Sequence, residues 1–275
     1  MVGLTTEQKQ QYDELGYVTV ENVLDSTEVE ALRRACSDVD ETAQSLTART
    51  PAISPRILPS GRRVIDVVKG AVFQHPQFLA ACTHSKVLDI IESLVGPDVQ
   101  HHHSKLNWKP PLPPGLGSQG WKIGWHQDYA FFPRTNYDLP ACAIYLDDAT
   151  PENGCMSVIP GSHRGGPLNH MKDGIFSGIC QQPEAYEDQS RWQEVRVQAG
   201  GVSIHHCLML HSSGPNLSER ARRAFIIQYR AADNVQVAGR TSHLGWGFQV
   251  RGRNAAMIRF ENGVTCPAPE GLVSH

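Results

Sequence analysis

From Val99 to Arg230 the chain alternates short β-rich runs with turns rich in glycine and proline. The runs are VQHHHSKLNW, CAIYLDD, CMSVIP, EVRVQ, VSIHHCLMLH and RAFIIQYR, and the turns between them include PPLPPGLGSQG, PENG, PGSHRGGP, AGG and SSGPNLSE. Many short strands punctuated this way predict a β barrel or sandwich. The stretch before Val99 reads differently. TTEQKQQYDELG predicts a helix stopped at Gly16, and YVTV a strand after it. In DSTEVEALRRACSDV, Asp25 and Glu28 form a capping box, with Val29, Leu32, Cys36 and Val39 on one helical face. SKVLDIIESLVGP predicts another helix, ended by Gly96 and Pro97. The segment from Thr47 to Arg63 holds three prolines and reads as a loop. Residues 162–192 form a long connection of the kind used for a lid or an insertion. The expected organisation is one domain over 1–275: a helical part (1–97), a β core (about 99–230) and a C-terminal segment (231–275).

Charge and cysteine usage narrow the function classes. The 25 basic and 28 acidic residues leave a net charge of −3, which gives no electrostatic case for nucleic acid or an anionic membrane. Seven cysteines without a CxxC pair speak against a disulfide framework or a structural zinc site, and for a reducing compartment, the cytoplasm. The N-terminus is polar, and no apolar run approaches the roughly 18 residues of a membrane span. Thirteen histidines are the one compositional hint of metal chemistry.

The segment GWHQDYAFFP sharpens that hint. On a strand, residues i and i+2 share a face, so His126 and Asp128 can grip one ion. An HxD pair alone is a common pattern, and a third ligand must come from elsewhere. The best candidate is His211, at the end of VSIHHCLMLH. Two imidazoles and a carboxylate on one side of a metal form the triad of non-heme Fe(II) oxygenases, which leaves positions open for a cosubstrate and dioxygen. Downstream of His211 runs HSSGPNLSERARRAF, with Arg222 at the start of the next strand. A guanidinium is the natural bidentate partner of a carboxylate, and Ser213 can donate a hydroxyl to the same group. A metal triad followed by an anion clamp suggests a dicarboxylate cosubstrate held at both ends.

The segments HQD, ENGCMSVIPGSH and HSSGPNLSERARRA, in this order and spacing, resemble the phytanoyl-CoA dioxygenase (PhyH) family of Fe(II)/2-oxoglutarate-dependent oxygenases. The resemblance covers about residues 8–230. It implies a double-stranded β-helix (jelly roll, cupin-like) with N-terminal helices packed on one sheet. It also implies Fe(II) on His126, Asp128 and His211, and 2-oxoglutarate paired through its distal carboxylate with Arg222, Ser213 beside it. Lys105 sits where the family often has a further cosubstrate contact. The implied reaction consumes O2 and 2-oxoglutarate and hydroxylates an aliphatic carbon of a small metabolite or natural product, with succinate and CO2 released. An acyl-CoA hydroxylase is the alternative within the family. A zinc metallohydrolase and a non-catalytic jelly-roll binding protein are the alternatives outside it, and neither needs Arg222. Halogenases of this family replace the carboxylate ligand with a small residue, so Asp128 argues against halogenation. The chain departs from the family's frequent Gly-Asp turn, having Gly201 in AGG. Arg220 and Arg223 flank Arg222 and leave a slip of register open.

The aromatic residues beside the HQD pair, Trp121, Trp125, Tyr129, Phe131 and Phe132, divide between packing and a pocket wall that excludes water. Trp246 could close the pocket from the C-terminal segment. Strand alternation splits His101, His102 and His103 between two faces, with surface or packing roles expected. His163 reads as a turn residue, His205 as a packed histidine on the side of His211, and His206 as its opposite neighbour. Asp147 and Asp148 read as solvated turn carboxylates.

Overall fold

The computed structural model describes residues 3–46, 48, 50–53, 55–57, 63–65, 67–111, 122–239 and 247–268. The N-terminal part carries α1 (Thr6–Leu15), β1 (Tyr17–Val20), α2 (Ser26–Ser45), β2 (Arg56–Ile57), β3 (Arg63–Val64), β4 (Val67–Lys69), α3 (Pro76–Cys82) and α4 (Ser85–Val95). The core follows with β5 (Val99–Lys109), β6 (Ile123–His126), β7 (Ala141–Tyr145) and β8 (Met156–Val158). A small hairpin, β9 (Met171–Lys172) and β10 (Ile175–Phe176), precedes β11 (Gln193–Val195), β12 (Val202–His205), β13 (His211–Ser213) and β14 (Arg222–Ala231). The chain continues through β15 (Gln249–Arg251), β16 (Met257–Arg259) and β17 (Thr265–Pro267). Among the described residues no helix is long and apolar enough to cross a membrane.

The capping box expected at Asp25 and Glu28 forms, and the structure shows a second at Thr5 and Gln8. Thr5 and Gln8 exchange backbone and side-chain hydrogen bonds at the start of α1, and Asp25 and Glu28 do so at the start of α2. Gly16 ends α1 at φ 80°, a left-handed conformation that glycine adopts without steric cost. One expectation changes: the Thr47–Arg63 segment is not wholly a loop, since β2 and β3 pair antiparallel at its far end.

Two antiparallel sheets make the double-stranded β-helix. The larger runs β1-β12-β7-β14-β5-β15, with β4 added on β5; the smaller runs β11-β8-β13-β6. Alternation along β14 decides what each face does. Phe225, Ile227 and Tyr229 point outward into a core shared with Leu32 and Cys36 of α2 and Ile91 of α4. Burying each such large apolar side chain contributes roughly 1.5–3 kcal/mol. Ala224, with Ala143, Tyr145, Val158 and Met209, faces the space between the sheets. Arg222 and Ile226 lie on that same inner face and line its cavity. The N-terminal helices thus cover one side of the large sheet and leave the other for chemistry.

The run VSIHHCLMLH is not one strand. It breaks after His205, turns through 206–210, and re-enters as β13 in the opposite sheet. One histidine-rich segment therefore reaches the interior from both sheets.

Candidate metal and carboxylate site

Strand β13 pairs with β6 in a register that sets His211 directly opposite His126. Directly opposed side chains on one face are close neighbours, which is how residues 85 positions apart in the sequence meet. Their ring centroids lie 4.1 Å apart. His126 is the last residue of β6, and Asp128 opens a one-turn 3-10 segment over Asp128–Phe131. The shared strand face expected for His126 and Asp128 is thus only half right, because the turn, not the strand, swings the carboxylate inward. Asp128 Oδ1 lies 3.7 Å from His126 Nε2 and 4.0 Å from His211 Nε2. One donor atom from each of the three lies within 4.8 Å of the others, and all three residues are buried.

The backbone sets the tautomers. His126 Nδ1 donates to the Gly124 carbonyl at 2.8 Å, and His211 Nδ1 to the Met209 carbonyl at 2.9 Å. With the proton held on Nδ1, each Nε2 lone pair faces the cluster, as a metal ligand requires. Burial pushes the His126 imidazole down to about 4, and burial with His126 and His205 nearby holds His211 well below its ordinary value. Burial alone would raise Asp128, but the hydrogen bond from His205 and the neighbouring His211 and Lys105 outweigh it and hold the carboxyl well below its usual range. Two neutral imidazoles and an ionised carboxylate are the protonation states that bind a divalent metal. The donor set fits Fe(II).

The cavity beside the triad is lined by Lys105, Tyr145, His205, Ser213 and Arg222, among others. Arg222 is 4% exposed, its Nε has no hydrogen-bond partner, and among the described residues no carboxylate lies within ion-pair distance of it. Burial lowers its affinity for its proton without discharging it. The neighbouring arginines differ. Arg223 points the other way and clamps Asp147 with two side-chain hydrogen bonds of 2.8 Å, while Arg220 is exposed. Asp147 is therefore an ion-pair partner rather than a solvated turn carboxylate, and it also accepts from the Arg223 backbone N–H. Lys109 stands opposite Arg222 in the β5–β14 ladder and is buried. Its ammonium donates to the Gly214 carbonyl, and burial with Arg222 close by lowers it to about 7.

Gln127, between the two ligands, ties the site to the 162–192 segment. Its side chain donates to the carbonyls of Gly166 and Leu208 and accepts from Leu168 N–H, and its backbone N–H donates to His170 Nε2. The β9–β10 hairpin then brings Phe176 to 5.0 Å from Phe131, whose ring sits edge-on to His126 at 5.6 Å. Phe132 packs on His102 and His103, each at 4.8 Å. Two of the aromatic candidates are corrected. Trp125 alternates to the outer side of β6 and packs with Tyr186 and Trp192. Tyr129 packs on Tyr137 and donates to the Arg134 carbonyl, away from the cavity. Trp121 and Trp246 lie outside the described residues.

His205 is the site residue that sequence reasoning undervalued. Its Nε2 lies 3.2 Å from Asp128 Oδ2, and it lines the cavity instead of merely packing. His206 turns away onto Tyr12 and His163, and His163 sits in the short helical turn Ser162–Gly165. The three consecutive histidines also depart from simple alternation. A bulge in the β5–β14 ladder pairs His103 with Gln228 and His101 with Tyr229, leaving His102 as the extra residue. His102 and His103 therefore both reach Phe132, while His101 stacks on Phe248 on the other side.

A double-stranded β-helix with two histidines and a carboxylate facing one cavity defines the non-heme, metal-dependent oxygenase class. The phytanoyl-CoA dioxygenase (PhyH) family model matches residues 12–224. The chain belongs to that family of Fe(II)/2-oxoglutarate-dependent dioxygenases and is an oxidoreductase. It is 28% identical to a probable alpha-ketoglutarate-dependent hypophosphite dioxygenase of Stutzerimonas stutzeri, over 96% of this chain and 92% of that one. It is 27% identical to the human peroxisomal phytanoyl-CoA dioxygenase, over 84% of this chain and 69% of that one. Among solved structures, the non-heme alpha-ketoglutarate-dependent carbocyclase SnoK from nogalamycin biosynthesis superposes with a TM-score of 0.67 at 27% identity, covering 91% of this chain and 94% of that one. The iron-bound EctD of S. alaskensis gives a TM-score of 0.73 at 21% identity, over 90% and 86% of the two chains, and shares the fold.

Proposed function

We propose that His126, Asp128 and His211 hold Fe(II), that Arg222 and Ser213 receive the distal carboxylate of 2-oxoglutarate, and that the enzyme hydroxylates an aliphatic carbon of a small molecule. The observation that carries this reading is the company Arg222 keeps. A buried guanidinium with no carboxylate partner is costly, and here it faces the same cavity as a ready metal triad. A dicarboxylate bound at both ends satisfies both. Two relatives named for oxidation of small molecules, the hypophosphite dioxygenase and a methylphosphonate hydroxylase of Gimesia maris (26% identical over 83% of this chain), agree with a small substrate.

Iron with 2-oxoglutarate and dioxygen supplies, when bound, an oxidant able to attack an unactivated C–H bond, with succinate and CO2 as by-products. The chain's own residues supply geometry. The Gly124 and Met209 carbonyls hold the two imidazoles with Nε2 toward the metal, and His205 holds Asp128 Oδ2 so that Oδ1 is presented. Arg222 fixes the orientation of the bound cosubstrate, since a planar fork accepts a carboxylate in few orientations. Phe131, backed by Phe176, covers the open side of His126 and keeps water from it.

The test is succinate formation from 2-oxoglutarate under oxygen, with and without added Fe(II). Iron-dependent succinate release by the native protein, lost in His211→Ala, is the expected result. Turnover supported by zinc without oxygen would point to a metallohydrolase, and no turnover with any metal to a binding protein.

A further inference from the structure

The charges lining the cavity do not cancel. Its lining holds one carboxylate, Asp128, and two cations, Lys105 and Arg222. On the cofactor reading above, which this inference rests on, a divalent metal adds two positive charges and 2-oxoglutarate brings two negative ones. One positive charge is left over in the cavity.

The surplus is located at Lys105. Arg222 is matched by the distal carboxylate of the cosubstrate, whereas among the described residues no hydrogen bond or ion pair reaches the Lys105 ammonium. The β5–β14 register places Lys105 opposite Ile226, four positions along the strand from Arg222, a separation of roughly 13 Å at about 3.3 Å per residue. The backbone positions of Lys105 and Arg222 thus lie at different points along the cavity.

One step beyond Lys105 along β5, past the cavity lining, His102 and His103 stand with Arg134. Arg134, 5% exposed, donates from its terminal nitrogen to His102 Nδ1 at 2.6 Å. A guanidinium can only donate, so His102 carries its own proton on Nε2, and that buried N–H has no partner. Among the described residues Arg134 Nε, a donor, Gln228 Oε1, an acceptor, and His103 Nδ1, which is either by tautomer, are also buried without partners. Native interiors seldom leave such groups unpaired unless something else fills the need.

We propose that the primary substrate is a small molecule bearing a single oxyanion group (carboxylate, phosphonate or sulfonate), with that group seated against Lys105 below the His102–His103 wall. A monoanion neutralises the remaining charge and supplies acceptor atoms where the wall offers donors.

The experiment uses the full-length protein reconstituted with Fe(II) and 2-oxoglutarate, and reads succinate release with methylphosphonate and butyrate against the neutral dimethyl methylphosphonate and butyramide. Slow iron-dependent release without any additive checks the cofactor reading; its absence overturns that reading, and this inference with it. If it is present, anions should stimulate release about tenfold or more and the neutral partners should not, by the strength expected of a charge-assisted contact. Equal stimulation by neutral compounds, by a long-chain acyl-CoA, or by nothing in the panel overturns the inference and leaves the cofactor reading standing. Lys105→Met should weaken binding of the stimulating anion to the Fe(II)–2-oxoglutarate protein by about 10- to 100-fold, measured by titration calorimetry under nitrogen, with Lys105→Arg recovering most of it. A larger effect of Lys105→Met on 2-oxoglutarate binding than on the anion would assign Lys105 to the cosubstrate and overturn the proposal.

Discussion

His205 Nε2 donates to Asp128 Oδ2 across 3.2 Å, with both side chains buried. The bond occupies one carboxylate oxygen and leaves the other, Oδ1, facing His126 and His211. Groups that orient a metal ligand typically carry about 10- to 100-fold in metal affinity. His205→Phe should lower the affinity for Co(II) or Fe(II) by about that factor, read by anaerobic titration calorimetry, while His205→Gln, which keeps a donor, should lose less. Undiminished affinity in His205→Phe would mean that Asp128 is aimed without it.

The three arginines after the loop separate by burial. Arg222→Ala should raise the KM for 2-oxoglutarate by about two orders of magnitude, since truncating one partner of a buried charge pair typically costs about 2–5 kcal/mol. Arg222→Lys should restore part of this, because a point charge lacks the planar fork. Arg220 is exposed, so Arg220→Ala should change neither KM nor stability. Arg223→Ala should lower the melting temperature through loss of its pair with Asp147, with little effect on KM. Succinate formed against 2-oxoglutarate concentration, with thermal melts of the same variants, decides among them; a large KM effect in Arg223→Ala would move the clamp.

Several histidines are buried in the neutral form, and this sets an acid limit. Burial lowers His101 from 6.5 to about 4, and neither of its ring nitrogens has a partner. His206 is lowered to about 4 by burial and by the neighbouring His163 and His205. Between pH 6.5 and 4 the unfolded chain therefore binds more protons than the folded one, and stability falls as pH falls through that window. At about 1.4 kcal/mol per unit, His101 alone can contribute roughly 3 kcal/mol by pH 4. The melting temperature of the metal-free protein should drop steeply below pH 6.5, and His101→Phe, which keeps the stacking on Phe248, should flatten the drop. An unchanged slope would place the acid sensitivity elsewhere.

Gly154 lies at φ 72° in the ENGC turn, and a Cβ there would meet the Gly214 carbonyl oxygen at 2.4 Å and that of Pro215 at 2.7 Å. Both obstacles are backbone atoms of the loop joining Ser213 to Arg222. Gly154→Ala should cost more than about 1 kcal/mol of stability. It should also raise the KM for 2-oxoglutarate, since it displaces the loop between Ser213 and Arg222, the two proposed carboxylate contacts. A variant with native stability and kinetics would show that the loop yields freely.

Much of this site is legible in the sequence, for identifiable reasons. Capping boxes and turn residues act locally, so α1 could be placed by its stop at Gly16 and α2 by Asp25 and Glu28. The HxD spacing and the position of Arg222 survive any detail of strand ends, because each depends only on which residues can reach one cavity. What escaped depends on partners far away in the chain. The role of His205 needs the break between β12 and β13, which places His205 and His211 on facing sheets. Trp125 could not be assigned to the outer face until β6 was fixed as a strand ending at His126. The pairing of Asp147 with Arg223 joins a turn to a strand 76 residues away, which no local pattern connects.

The bulge at His102 has a consequence for how such a barrel changes over time. Because the extra residue sits between two paired positions, His103 with Gln228 and His101 with Tyr229, it can be gained or lost without shifting the ladder on either side. A single-codon deletion there would remove one imidazole from Phe132 and release Arg134, with the pairing on either side unchanged. The ladder can thus change length at this point while the strands on either side stay in register.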